Sequence, residues 1–263
     1  MKRFLLYSVL ALGLVVGGPA GASPLAAQEL TKQGLPRAED ILDREAQAVG
    51  GKEAREQIKT VSTTMKLSGQ DMQVGIVVYH AGPNRHYKEI SSDGLRKTEI
   101  VVDGDVAWVR DSITGARILK GEERAQVLRD AEGFDKEARR VSDWRKEYKQ
   151  VRTVAEENVE GKPAYKVQMT TQKGETVISH YDRNSGLIVR QEKDVETPQG
   201  KVKVIEFHAD HRKVGGLVLA FKGRVVQGDS ETLVTVERLE FNVDVPEERF
   251  ALPVELQRLQ NQP

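Results

Sequence analysis

The chain contains no cysteine. That excludes a disulfide framework, a thiolate metal site and a cysteine nucleophile, and with them a lipid-modified N-terminal cysteine. No charge of one sign dominates: Lys plus Arg and Asp plus Glu both number 40 among 263 residues. There is accordingly no basic field of the kind that draws a protein to nucleic acid. The sequence also lacks a GxSxG nucleophile elbow, a phosphate-cradling GxxxxGK[ST] loop and an HExxH zinc helix. Its carboxylates are numerous but scattered through turns and charged faces, so no catalytic pair stands out. These absences point away from an enzyme, a resident metal and a cofactor.

What is there begins with a targeting segment over 1–22. Lys2 and Arg3 precede the apolar run Phe4 to Val16, and Ala20-Gly21-Ala22 offers small residues for cleavage. The run is too short to span a bilayer comfortably, so the expected product is exported to a periplasm. Residues 23–34 read as a polar linker. A helix is expected from Pro36 to Val49, with Ala38, Ile41, Leu42, Ala46 and Val49 on one face and Gly50-Gly51 as its stop. A second short helix, Lys52 to Ile58, would turn Ala54 and Ile58 inward.

From residue 61 the period changes to two. Val61, Thr63, Met65 and Leu67 alternate with polar residues, and Met72, Val74, Ile76 and Val78 alternate in return. Asp103-Gly104 signals a hairpin between strands ending at Val102 and starting at Val106. The clearest instance is 161–192, where Tyr165, Val167 and Met169, then Val177 to Tyr181, then Leu187 to Arg190 form three strands around two tight turns. About twelve such strands are more than a flat sheet usually holds, so a curled antiparallel sheet is expected. Only Gly121 to Tyr148 departs from this pattern. Val127, Ala131, Phe134, Ala138, Val141, Trp144 and Tyr148 recur at three or four, a helical stripe that Gly133 breaks in two. The order predicts a mainly β, α+β fold with helical lid or plug segments. Phe250 would plug it, and 254–263 would be a polar, frayed tail.

His208-Ala209-Asp210-His211 is the one histidine cluster. Residues three apart on a strand point to opposite faces, and a zinc site needs a third converging ligand, so no metal site is expected there. A hydrolase using His208 or His211 is the weakest of the functional readings.

Several stretches in order resemble the LolA/LolB-like superfamily of periplasmic lipoprotein carriers. They are DILDREAQAVGGKEAREQIKT, DGDVAW at Asp103 to Trp108, YDRNSGLIVRQE, HADHRKVGGLVLAF and the closing FNVDVPEERFALP. The resemblance spans about residues 35 to 253. It implies an unclosed β-barrel of about eleven strands with helices over a hydrophobic cavity. Lipid or lipoprotein acyl chains are then the expected partners, together with envelope membrane proteins and no nucleic acid, and the protein is expected to be a monomer. Met65, Leu67, Val74, Ile76, Trp108, Phe134, Val141 and Trp144 are the expected ligand-lining residues. The competing reading is a periplasmic sensor or protein-interaction module whose interior is filled.

Overall fold

Alternating apolar and polar residues build most of the protein. The structure, a computed structural model, describes residues 34–70, 72–82, 84–92, 96–131, 143–197 and 200–260. The targeting segment, nearly all of the linker, and Phe134 and Val141 of the expected ligand set lie outside the described residues. Thirteen strands form one antiparallel sheet in the order β6-β5-β4-β3-β2-β1-β13-β12-β11-β10-β9-β8-β7. The end strands β6 and β7 are not partners, so the sheet is not closed. The sequence suggested about twelve strands, and the short Gly115–Ile118 segment, paired from Trp108↔Ile118 to Asp111↔Gly115, brings the number to thirteen.

Two compact units divide the chain. The first draws its described residues from 58–131 and 234–260. It holds β1 (Thr60–Gly69), β2 (Met72–Ala81), β3 (Arg85–Ser92), β4 (Arg96–Asp103), β5 (Val106–Asp111) and β6 (Gly115–Ile118). With them come helix α3 (Gly121–Ala131), most of β13 (Ser230–Phe241), a 3-10 turn at Glu247–Arg249 and helix α5 (Val254–Gln260). The second draws on 34–57 and 143–233. It holds α1 (Ala38–Ala48), α2 (Gly51–Glu56), α4 (Trp144–Glu147), β7 (Tyr148–Val159), β8 (Lys162–Thr171), β9 (Thr176–Asp182), β10 (Ile188–Thr197), β11 (Gly200–Val214) and β12 (Leu217–Gln227).

In the first unit the sheet is covered on both faces, because alternate residues of β4 point opposite ways. Ile100 and Val102 pack with Ala107, Leu119, and Val127 and Ala131 of α3. Val101 packs on the other side with Tyr87, Trp108, Phe250 and Leu256. Leu256 is 1% exposed and sits in α5, so the expected frayed tail is instead a helix over Val254–Gln260 that buries Leu256 against the sheet.

The carboxyl-terminal segment is clasped to that face by charge. Arg85 donates to Glu247 at 3.1 and 2.6 Å and to Asp103 at 3.1 Å, and its guanidinium lies 4.2 Å from the Phe250 ring centroid. Arg249 donates to the Tyr87 hydroxyl at 3.0 Å. That hydroxyl lies 2.7 Å from Glu89 and 3.0 Å from Glu99. Glu89 and Glu99 are direct cross-strand partners, a repulsive placement that Lys97 (2.8 and 3.5 Å) and Arg110 (2.5 Å to Glu99) offset. Burial opposes both charges, but Lys97 and Tyr87 at Glu89, and Arg110 and Tyr87 at Glu99, hold these carboxyls below their ordinary pKa.

In the second unit α1 buries Ala38, Ile41, Leu42 and Glu45, and Val49 follows at 0% exposure. The expected glycine stop is present, with Gly50 at φ 95° and Gly51 at φ 71°. Gly50 also approaches the β11–β12 turn so closely that a Cβ would stand 2.5 Å from the Gly216 carbonyl oxygen, which no side chain tolerates. Helix α2 buries none of its residues, so Ala54 and Ile58 are only partly covered rather than core. The three strands read from 161–192 are β8, β9 and β10, paired Tyr165↔Tyr181, Val167↔Ser179 and Gln191↔Ser179. Their DRNSG turn is wrapped on Asp182 Oδ1, which accepts from the Asn184 and Ser185 amides and the Ser185 hydroxyl. Arg44 of α1 donates to the carbonyls of Arg183 and Asn184, tying the helix to that turn.

Candidate ligand-binding face

The register of β1 to β5 turns the alternating pattern into four cross-strand rows on one face of the first unit. Val61, His80, His86, Val102 and Ala107 form the first row, and Thr63, Val78, Lys88, Ile100 and Val109 the second. Met65, Ile76, Ile90, Thr98 and Asp111 form the third, and Leu67, Val74, Ser92 and Arg96 the fourth. Cross-strand partners share a face and stand side by side. Four of the residues expected to line a ligand, Met65, Leu67, Val74 and Ile76, thus form a two-by-two block at one corner. Leu67, Val74 and Ile76 are 1–2% exposed and Met65 is half-buried. The neighbouring part, Ile90, Ile100, Val102, Ala107 and Val109, lies with Val127, Leu128 and Ala131 of α3.

Trp108 and Trp144, the other described residues of the expected set, are not on this face. Trp108 pairs with Val101 and Ile118 and packs under Phe250 and Leu256, on the opposite side of the sheet. One residue of register decides this, because neighbours on a strand point opposite ways. Trp144 belongs to the second unit, where its indole N–H donates to Asp43 of α1 at 2.9 Å and the Arg145 guanidinium lies 4.1 Å from its ring centroid. Arg145 also donates to both Asp43 oxygens, at 2.7 and 2.8 Å, and that hydrogen bonding holds the Asp43 carboxyl below its ordinary pKa. The helical stripe over Gly121 to Tyr148 therefore distributes Val127 and Ala131 to one unit and Trp144 and Tyr148 to the other.

Polar groups mark both ends of the face. At one end Asp111 accepts from Thr98 (2.8 Å), Arg96 (2.8 Å) and the amides of Ile113 and Thr114 (3.0 and 3.2 Å). Burial works against its charge, yet these donors hold its carboxyl well below the usual range. At the other end lie three basic side chains. His80, His86 and Lys88 are each 6% exposed. The two imidazoles are cross-strand partners with ring centroids 6.2 Å apart. Burial, with His80 and Lys88 adding to it, pushes the His86 pKa down to about 3, so the ring is neutral at pH 7. Burial also pulls Lys88 down to about 8, with Asp130 of α3 pulling the other way. A lysine in the inward phase of an alternating strand was the signal available for this feature.

The histidine cluster is dispersed by pairing. His208 is buried opposite Gly223, and His211 stands opposite Ala220. Among the described residues no group of three or more His, Asp or Glu side chains could hold a metal ion. No described helix is long and apolar enough to cross a membrane.

No family model and no curated protein sequence matches the chain. Solved structures similar to it include LolA-superfamily proteins. One, from Nitrosomonas europaea, is 13% identical, with 82% of this chain and 98% of that chain covered and a TM-score of 0.47. A DUF1329 family protein from Desulfovibrio piger is 15% identical over 81% of this chain and 97% of that one, with a TM-score of 0.48. The Mycobacterium tuberculosis lipoprotein LppX is 11% identical over 79% and 99%, with a TM-score of 0.36.

Proposed function

We propose that this protein is an exported, non-catalytic binder of acyl chains that shelters them on the apolar face of β1 to β5 beside α3. The observation that carries this reading is the aliphatic block Met65, Leu67, Val74 and Ile76, continuous in register with Ile90, Ile100, Val102 and Val109. Such a surface takes up an alkyl chain without directional contacts, each methylene contributing on the order of 0.8 kcal/mol when it leaves water. Lipoprotein acyl chains are the cargo that the sequence resemblance implies, and envelope membrane proteins would be donor and acceptor. Release then requires α3 to yield, since Val127 and Ala131 cover part of the same face.

That cover favours one competing reading, a sensor or interaction module with a filled interior. Native mass spectrometry of the protein purified from the envelope, together with titration of a fluorescent fatty acid, separates the two. Co-purified lipid and saturable binding support carriage. A lipid-free protein with no saturable binding would leave the filled module as the function.

A further inference from the structure

Resting on the acyl-binding reading, we propose that the face selects amphiphiles with an anionic head group, a carboxylate or phosphate, received by Lys88 with His86 and His80 beside it. Lys88 stands in the middle of a row, flanked across the strands by Val78 and Ile100. His86 is flanked by His80 and Val102 in the adjoining row. An ammonium placed among aliphatic side chains loses hydration that only an opposed charge restores. Among the described residues Asp130 of α3 is the one carboxylate whose attraction reaches Lys88, and none comes within ion-pair distance of it. Asp130 is already hydrogen-bonded by the Gln126 amide at 2.8 Å and is itself pushed toward the neutral form by burial. The positive charge is therefore under-compensated. His86 Nδ1 is buried without a hydrogen-bond partner, and in the tautomer that protonates it this nitrogen is a donor.

These features meet the two halves of an anionic amphiphile. The head group supplies the missing charge and accepts from Lys88 and the imidazole. The chain runs from there over the third and fourth rows, past Ile90 and Ile76 toward Leu67 and Val74. A neutral amphiphile of equal length would bury the same methylenes and leave Lys88 as it was. A small anion without a chain would gain the charge and forfeit the apolar contact.

The test is to titrate the full chain, freed of bound lipid, with laurate, dodecyl phosphate, dodecanol and acetate. The wild type, Lys88→Met and Lys88→Arg are compared, each first shown to be folded by its unfolding transition. In the wild type the two anionic amphiphiles should bind about tenfold or more tighter than dodecanol, the scale of one charge-assisted hydrogen bond. Lys88→Met should lose that preference and leave dodecanol binding within about twofold, and Lys88→Arg should retain it. A preference for only one of laurate and dodecyl phosphate would still support the site and identify its head group. Equal binding of laurate and dodecanol in the wild type, unchanged in Lys88→Met, would overturn head-group selection while leaving acyl binding intact. Acetate binding as tight as laurate would overturn it too, as a small-anion site. Failure of all four ligands in the wild type would remove the acyl-binding reading itself.

Discussion

Replacing Lys88 by methionine measures what it costs this protein to hold a cation in an apolar face. Methionine keeps the unbranched stem and removes the charge. Burial lowers the Lys88 pKa from 10.5 to about 8, with Asp130 pulling the other way. A lysine with a depressed folded pKa binds its proton less tightly in the native state than in the unfolded chain. Its contribution to stability is therefore greatest above the unfolded value near 10.5 and is lost as pH falls to about 8. At pH 7 both states are protonated and the whole penalty applies, about 3 kcal/mol at roughly 1.36 kcal/mol for each pH unit. Methionine also deprives Asp130 of its attraction, so the net gain at pH 7 should be about 1–3 kcal/mol. Urea unfolding of lipid-free wild type and Lys88→Met at pH 7 and pH 9.5 gives the comparison. Other titrating groups, including Tyr87 with its raised pKa, cancel in the difference between the two proteins. His86 is neutral throughout this range, and among the described residues His80 and Asp130 are the other titratable neighbours. The variant should be more stable at pH 7, by a margin that narrows at pH 9.5. A variant less stable than wild type at pH 7, or a margin that does not change with pH, would refute the reasoning.

Four other outcomes follow from the same structure. Phe250→Ala should cost about 3–5 kcal/mol, because its ring is 1% exposed between Tyr87, Val101 and Trp108, and hydrogen exchange should show Val254–Gln260 losing protection with it. Asp111, whose pKa is depressed by Thr98, Arg96 and two amides against the opposing effect of burial, contributes stability that is present above the unfolded carboxylate range and lost as pH falls through its folded pKa. An acid titration of Asp111→Asn, followed by circular dichroism, should therefore show a smaller loss of stability below pH 4 than the wild type. Trp144→Phe should lower stability by about 1 kcal/mol through loss of the Asp43 hydrogen bond, while the remaining tryptophan emission stays blue because Trp108 is 3% exposed. Amino-terminal sequencing of the envelope-purified protein should find Ser23 or a residue shortly after it as the first residue, and an intact Met1 in the membrane fraction would refute export by cleavage.

Local chemistry was legible from the residues because it depends on near neighbours. Period-two alternation gave β1, β2 and the β8–β10 stretch, Gly50-Gly51 gave the end of α1, and DRNSG gave the turn that Asp182 organises. The sequence alone also placed Met65, Leu67, Val74 and Ile76 on one face, since positions two apart on a strand must share one. Four things required the tertiary structure. The hairpin at Asp103-Gly104 sets Trp108 opposite Val101, but which side of the sheet that pair joins is decided by what packs there, α3 on one side and Phe250 and Leu256 on the other. Helical spacing over Gly121 to Tyr148 says only which residues share a side, and Trp144 found its partner in Asp43, 101 positions away. Leu256 looked like tail because the few apolar residues of 254–263 make no clear period in so short a polar stretch, and only its packing with Phe250 makes it core. His80, His86 and Lys88 are separated in sequence by a turn and alternate with outward-facing residues, so their charge balance exists only after β2 and β3 pair. Pairing, burial and the distance to a compensating charge are properties of the folded chain, and they decide what a lysine inside a sheet can do.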